Sequence, residues 1–181
     1  MALEFYVEQA DRSPQSGVAN ESVYAGELVN DDGSGVNVLS FTDGNENVAL
    51  ARYDAEKMAA ETDEDVIEEV YDVGQRVQYQ PLEDSAILRI RTPEDDTADA
   101  TAIGHRDVVG IVDESAGDAP ANVSGRVVEE GYGNGATTFD RSTGNFKAVG
   151  VAYRPSQRGG EVEDRYDHPV RVIAFSELKE D

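Results

Sequence analysis

Short apolar-rich runs, several of which alternate apolar with polar residues, recur along most of the chain. They are Val23–Val29, Val36–Phe41, Val48–Tyr53, Arg76–Gln80, Ala86–Arg91, Val108–Val112, Val123–Glu130, Lys147–Tyr153 and Val170–Phe175. Gly, Asp, Asn, Pro or Ser bounds each run, and β-branched or aromatic residues recur within them. A period of two sends successive side chains to opposite faces, so the pattern predicts strands at the spacing of a sandwich or barrel. In Ala86–Arg91, Ala86, Leu88 and Ile90 share one face, and Arg89 and Arg91 share the other. In Lys147–Tyr153, Val149, Val151 and Tyr153 face one way. Ala148, Gly150 and Ala152 leave the opposite face nearly flat, open to close approach by another sheet or another subunit. One segment has a different period. Asp54 precedes the helix formers Ala55–Ala60, and Thr62 with three acids precedes Val66, Ile67, Val70 and Tyr71. That spacing predicts a short helical insertion over 55–71. Loops are expected at 9–21, 92–101, 115–122 and 154–165.

The runs also repeat. Gly35–Asp54 aligns without a gap to Gly135–Arg154, matching Gly35/Gly135, Gly44/Gly144, Asn45/Asn145 and Tyr53/Tyr153. Upstream, Ala25-Gly26-Glu27-Leu28-Val29 parallels Ser124-Gly125-Arg126-Val127-Val128 at an offset of 99. Downstream, Tyr71-Asp72 with Arg76-Val77 recurs as Tyr166-Asp167 with Arg171-Val172. The polar stretch 92–101 falls near the centre of the chain. The expected fold is therefore mainly β, with two related small barrel-like or sandwich-like units from an internal duplication. Residues 1–91 form the first unit and carry the helix, 92–101 are linker-like, and 102–181 form the second, with packing of both units as one domain the alternative.

Charge changes the picture next. The 181 residues are enough for a real core. They include 38 acids against 15 Lys and Arg, a net charge of −23. Only Lys57, Lys147 and Lys179 are lysines, and the acids are spread over almost every segment. Self-repulsion on this scale opposes folding unless it is screened, and molar salt shortens the Debye length to about 3 Å. The composition therefore points to a hypersaline setting, with an ordinary acidic protein as the alternative. It argues against nucleic acid as a partner, because no basic stripe can neutralise phosphates. Cysteine is absent, which removes disulfides and thiolate chemistry. Met1–Val7 lacks a basic or long apolar region, so no signal peptide is expected, and no run approaches the ~20 apolar residues of a membrane helix.

Candidate chemistry is sparse. His105 and His168 are the two histidines, one before Arg106-Asp107 and the other between Asp167 and Pro169, each at a predicted strand entrance, and they read as solvated loop residues. Carboxylate clusters such as Glu94-Asp95-Asp96 are weak signals in so acidic a chain. Asn30-Asp-Asp-Gly33-Ser-Gly35 resembles the start of a calcium loop but lacks the alternating ligands, so a tight turn is expected. Gly131-Tyr-Gly-Asn-Gly135 lacks the Lys-Ser/Thr of a phosphate loop and reads as a hairpin turn. No Gly-x-Ser-x-Gly elbow occurs. Asn20 and Asn122 open possible glycosylation sequons. Asp72 with Arg76, and Asp167 with Arg171, are expected as surface ion pairs. No catalytic residue, metal ligand or cofactor site is assigned, and an enzyme is not expected.

Small β units with a glycine inside an apolar strand, Val108-Val-Gly110-Ile-Val112 and Ala148-Val-Gly150-Val-Ala152-Tyr153, resemble the head-decorating proteins of tailed viruses. The acidity turns that resemblance toward a haloarchaeal virus. It extends over most of the chain as pattern. It implies a β-tulip or barrel-like subunit, commonly trimeric, that clamps capsomers without enzymatic activity. The implied partners are a major capsid protein and copies of itself, and the implied location is the capsid exterior after synthesis in the host cytoplasm. A single β-barrel (jelly-roll) shell protein and an extracellular binding module of a halophilic archaeon are the alternatives. The least charged interface candidates are Phe5, Tyr6 and Val7, as an arm that adds a strand to a neighbour or serves as the first strand of its own unit, and the flat Ala148, Gly150 and Ala152 face.

Overall fold

A computed structural model describes residues 7–10, 12–43, 47–52, 70–93, 103–153 and 169–174. They are all-β, in two main antiparallel sheets and two short ribbons. Five strands form the first sheet, in the spatial order β2 (Gln15–Val18), β8 (Arg76–Pro81), β6 (Val48–Ala51), β4 (Leu28–Asp31) and β5 (Val36–Val38). This sheet curls into a half-barrel whose outer strands meet at one corner. Ala19 bridges Val36 there, and the Asn20 amide donates to the Val36 carbonyl at 3.0 Å. Gly17 permits the curl, since a Cβ on it would lie 2.6 Å from Val36 Cγ2. Val29, Val36, Ala49, Ala51 and Val77 fill the interior with Val23 and Tyr71. The last two belong to the ribbon of β3 (Val23–Tyr24) and β7 (Val70–Tyr71).

The second sheet has six strands. Its order is β1 (Val7–Gln9), β9 (Ile87–Arg91), β15 (Pro169–Ala174), β14 (Phe146–Ala152), β10 (Val108–Val112) and β11 (Val128–Glu129). The largest core lies between the two sheets. Leu28, Leu50 and Leu82 from one side meet Leu88, Ile90, Val109, Ile111, Val149 and Val172 from the other. Each such side chain contributes about 1.5–3 kcal/mol by leaving water. A third cluster sits under the hairpin of β12 (Tyr132–Asn134) and β13 (Thr137–Phe139), where Tyr132 and Phe139 cover Phe146 and Ala148.

Each of the nine short runs contains a strand, and several details depart from the pattern. Residues 9–21, expected as loop, contain β2. Val70–Tyr71 do not continue a helix; they pair with Val23–Tyr24 as β7. The rest of the expected helix, 55–69, lies outside the described residues, as does 94–101 of the linker-like stretch. Arg91 is fully buried, because the turn after β3 covers the face of β9 that alternation assigns to solvent. On β14 the alternation breaks at a bulge: Val109 pairs with Gly150 and Gly110 with Ala148, leaving Val149 as the extra residue.

Candidate functional site

Two groups of polar side chains stand out, at opposite ends of β4. The first lies at the open end of the half-barrel, where β2 and β6 begin and β4 and β8 end. A cavity of about 540 Å³ opens there. Arg12, Gln15, Asp31, Asp32 and Asn47 form its rim, and Val48, Ala49, Tyr79, Pro81 and Leu82 lie beneath them. The rim is built by turns that use their own carboxylates. Asp31 Oδ1 accepts from the Gly33 amide at 2.9 Å, and Asp32 Oδ1 accepts from the Ser34 amide and hydroxyl at 2.8 and 2.6 Å. These hydrogen bonds hold the Asp32 carboxyl below the usual carboxylate range. The tight turn expected over 30–35 is thus formed by Asx-type bonding.

Tyr79 reaches up from β8 and donates its hydroxyl to Asp31 Oδ2, with Gln15 Oε1 3.5 Å away. Burial, followed by the hydrogen bond and charge of Asp31, pushes the Tyr79 phenol up to about 12. It stays protonated at neutral pH and is a donor, not a base. Gly17 serves here too: a Cβ on it would approach Asp31 Oδ2 to 3.0 Å. The strand that closes the half-barrel therefore also leaves room for the Tyr79–Asp31 pair.

The second group joins the two sheets. Glu27 and Arg126 form a buried ion pair, Oε1 to Nε 3.0 Å, with side chains 6% and 2% exposed. Glu27 Oε2 accepts from the Tyr24 amide at 2.9 Å, and Arg91 Nε donates to the Ala25 carbonyl at 2.9 Å. Both guanidinium groups lie over the Tyr24 ring, at 5.4 and 5.7 Å. Burial pushes the Glu27 carboxyl up, and the Arg126 charge pulls it back. The backbone is stitched across the same junction. Leu28 donates to Gly125, Arg91 to Gly26 and Val127 to Arg91, at 2.7, 2.8 and 3.0 Å. Gly26 and Gly125 sit in matching turns at positive φ, +87° and +69°. The Glu27 amide donates to the Tyr24 carbonyl and the Arg126 amide to the Val123 carbonyl.

The residues singled out from sequence fall as follows. Val7 opens β1, which pairs with β9 of its own chain. Phe5 and Tyr6 lie outside the described residues. Ala148, Gly150 and Ala152 are buried within the chain, and the bulge sends them to different places. Ala148 joins the cluster under the β12–β13 hairpin, and Ala152 joins the core between the sheets. β15 covers Gly150, since a Cβ on it would collide with the Ile173 carbonyl and the Val172 side chain. His105 is exposed and meets Tyr153 edge-on at 5.7 Å, and His168 lies outside the described residues. Arg76 donates to Ser16 Oγ at 3.0 Å across β2, in place of the expected pair with Asp72. Among the described residues no three His, Asp or Glu side chains gather as a metal site, and no helix is long and apolar enough to cross a membrane.

Sequence reasoning did not pick out Arg12, Gln15, Tyr79, Arg91 or the meeting of Glu27 with Arg126. Only the last had a signal: the two residues occupy equivalent places, 99 apart, in the repeat alignment. No family model matches the chain, and no curated protein matches it, so function is argued from residues and geometry.

Proposed function

We propose that this chain is a non-enzymatic structural subunit for a high-salt exterior, decorating the head of a haloarchaeal virus. The observation that carries the reading is where the charge sits. The net charge is −23, and of the described carboxylates only Glu27 and Glu83 are buried. An apolar interior inside an acidic shell is what a particle surface in brine requires, because screened carboxylates hold water without destabilising the core. The resemblance noted in the Gly-bearing strands supports the same reading. The subunit meets a capsid protein and copies of itself through the free edge of β1 and the arm residues Phe5 and Tyr6 before it, Val7 itself being paired within its own chain.

We also infer that the two sheets descend from one duplicated unit. The order β2-β8-β6-β4-β5 and the order β9-β15-β14-β10-β11 connect their strands in the same sequence along the chain. The turns at Gly26 and Gly125 add support. The two criteria differ at two places: the alignment equates β4 with β11 and β5 with β13, whereas position in the sheet equates them with β10 and β11.

Electron microscopy and mass spectrometry of purified particles test the role. The chain is expected in a fixed number of copies on the head lattice, and its absence from particles overturns the reading. Deleting Met1–Glu8 is expected to leave a folded chain that no longer binds heads; binding that survives the deletion removes the arm.

A further inference from the structure

We infer that the open end of the half-barrel is a binding site for a pyranose sugar. Barrel mouths are recurrent ligand sites, and the volume here suits one sugar ring with a few waters. The chemistry of the rim narrows the class. The Arg12 guanidinium, the Gln15 amide nitrogen, the Asn47 carboxamide and Asp32 Oδ2 have no partner among the described residues, and all four residues are exposed around one opening. Donors thus stand beside acceptors. A ring hydroxyl can donate to a carboxylate and accept from a guanidinium or amide at the same time, so adjacent hydroxyls satisfy this alternation.

Other ligand classes fit less well. Asp31 and Asp32 repel an anion. A divalent cation needs several free oxygens, and Asp31 has both of its own engaged, by the Gly33 amide and the Tyr79 hydroxyl. A peptide adding a strand needs a sheet edge, whereas this opening lies at strand ends. Beneath the rim, the buried apolar residues Val48, Pro81 and Leu82 close the floor of the opening. The Tyr79–Asp31 hydrogen bond fixes that side of the opening before any ligand arrives, which lowers the cost of ordering on binding.

The proposal is independent of a place on a virion, because sugar binding is read on the isolated chain. The experiment titrates the full chain in molar potassium chloride and follows backbone amides by ¹H–¹⁵N NMR. The probes are the methyl glycosides of glucose, galactose and mannose, glucuronate, and magnesium chloride. At least one neutral glycoside is expected to shift Gly33, Ser34, Asn47 and Val48 saturably. Glucuronate is expected to bind more weakly and magnesium to leave these amides unmoved. Arg12→Ala and Gln15→Ala change exposed side chains and keep the wild-type spectrum elsewhere. Each is expected to weaken binding by about tenfold, the effect of losing one hydrogen bond to a charged or well-placed group. A matching oligosaccharide that binds more tightly than the methyl glycoside identifies a glycan chain end as the source; equal affinity identifies the free sugar. No shift with any neutral glycoside overturns the proposal. So do shifts unchanged in both variants, and a response to magnesium alone.

Discussion

Glu27 and Asp31 stand at the two ends of β4, four residues apart, and meet opposite surroundings. Glu27 is sealed between the sheets, with Arg126 against one oxygen and the Tyr24 amide against the other. Asp31 sits on a wet rim, with its oxygens engaged by a tyrosine and a turn amide. At the junction the carboxylate is compensated within the protein, by the Arg126 charge and the Tyr24 amide. At the mouth no cation pairs with Asp31 or Asp32 among the described residues, and compensation there is left to turn amides, solvent and salt. One short strand is enough to pass from one regime to the other, because burial, not residue type, decides what a carboxylate needs.

Salt is the broadest way to break this comparison. Moving the chain from molar to tens of millimolar salt is expected to abolish cooperative unfolding by circular dichroism, since −23 then acts unscreened. A cooperative transition retained at low salt shows that the surface charge needs no screening. The junction comes next. Glu27→Ala leaves Arg126 and Arg91 buried without their carboxylate and is expected to cost about 3–5 kcal/mol in denaturant titration. Replacing Glu27 and Arg126 together by methionine is expected to recover most of that loss. If the double variant is as unstable as the single one, the pair matters for its shape and not for its charge.

Smaller effects sharpen the contrast at the mouth. Gly17→Ala drives a methyl group toward Val36 and Asp31 and is expected to cost about 1–3 kcal/mol. Its NMR shifts should centre on β2, Ser34 and Tyr79 and spare the junction. Tyr79→Phe removes one hydrogen bond and is expected to cost about 1 kcal/mol. The same phenol gives a pH test. Its folded value is raised from 10.0 to about 12, so the folded state keeps a proton that the unfolded state releases. The stability it contributes is present in full below pH 10 and is lost as pH rises toward 12. Tyr79→Phe should flatten that decline, and phenolate absorbance in Asp31→Asn should appear at lower pH.

Much of the fold was legible because half-buried strands announce themselves. Ala86, Leu88 and Ile90 sit where alternation places them, on one face and in the core. β2 was not legible. Gln15, Ser16 and Val18 are all exposed, and the strand is defined by pairing with β8 and not by a buried face of its own. Val70 and Tyr71 carry helical spacing from Val66 and Ile67, yet two residues suffice to pair with β3, and tertiary pairing overrides local period. Arg91 looked solvated because alternation within one strand does not reveal that a turn from elsewhere in the chain covers its outer face. The mouth was the least visible part. Tyr79 and Asp31 are 48 residues apart and share no local motif; curvature of the sheet alone brings them together.

The place of β15 sets a timetable for synthesis. It lies between β9 and β14, so a strand made late completes a sheet begun early. The half-barrel has its last strand once Pro81 has been made. β9 then waits about 80 residues for one of its neighbours, roughly 4–16 s at translation rates of about 5–20 residues per second. During that interval an apolar strand carrying Leu88 and Ile90 has one unpaired side, with only β1 on the other. The nascent chain should therefore be most open to chaperone capture, or to mispairing with another ribosome's product, while residues between β9 and β15 emerge. Ribosome profiling of chaperone-bound chains would place that window.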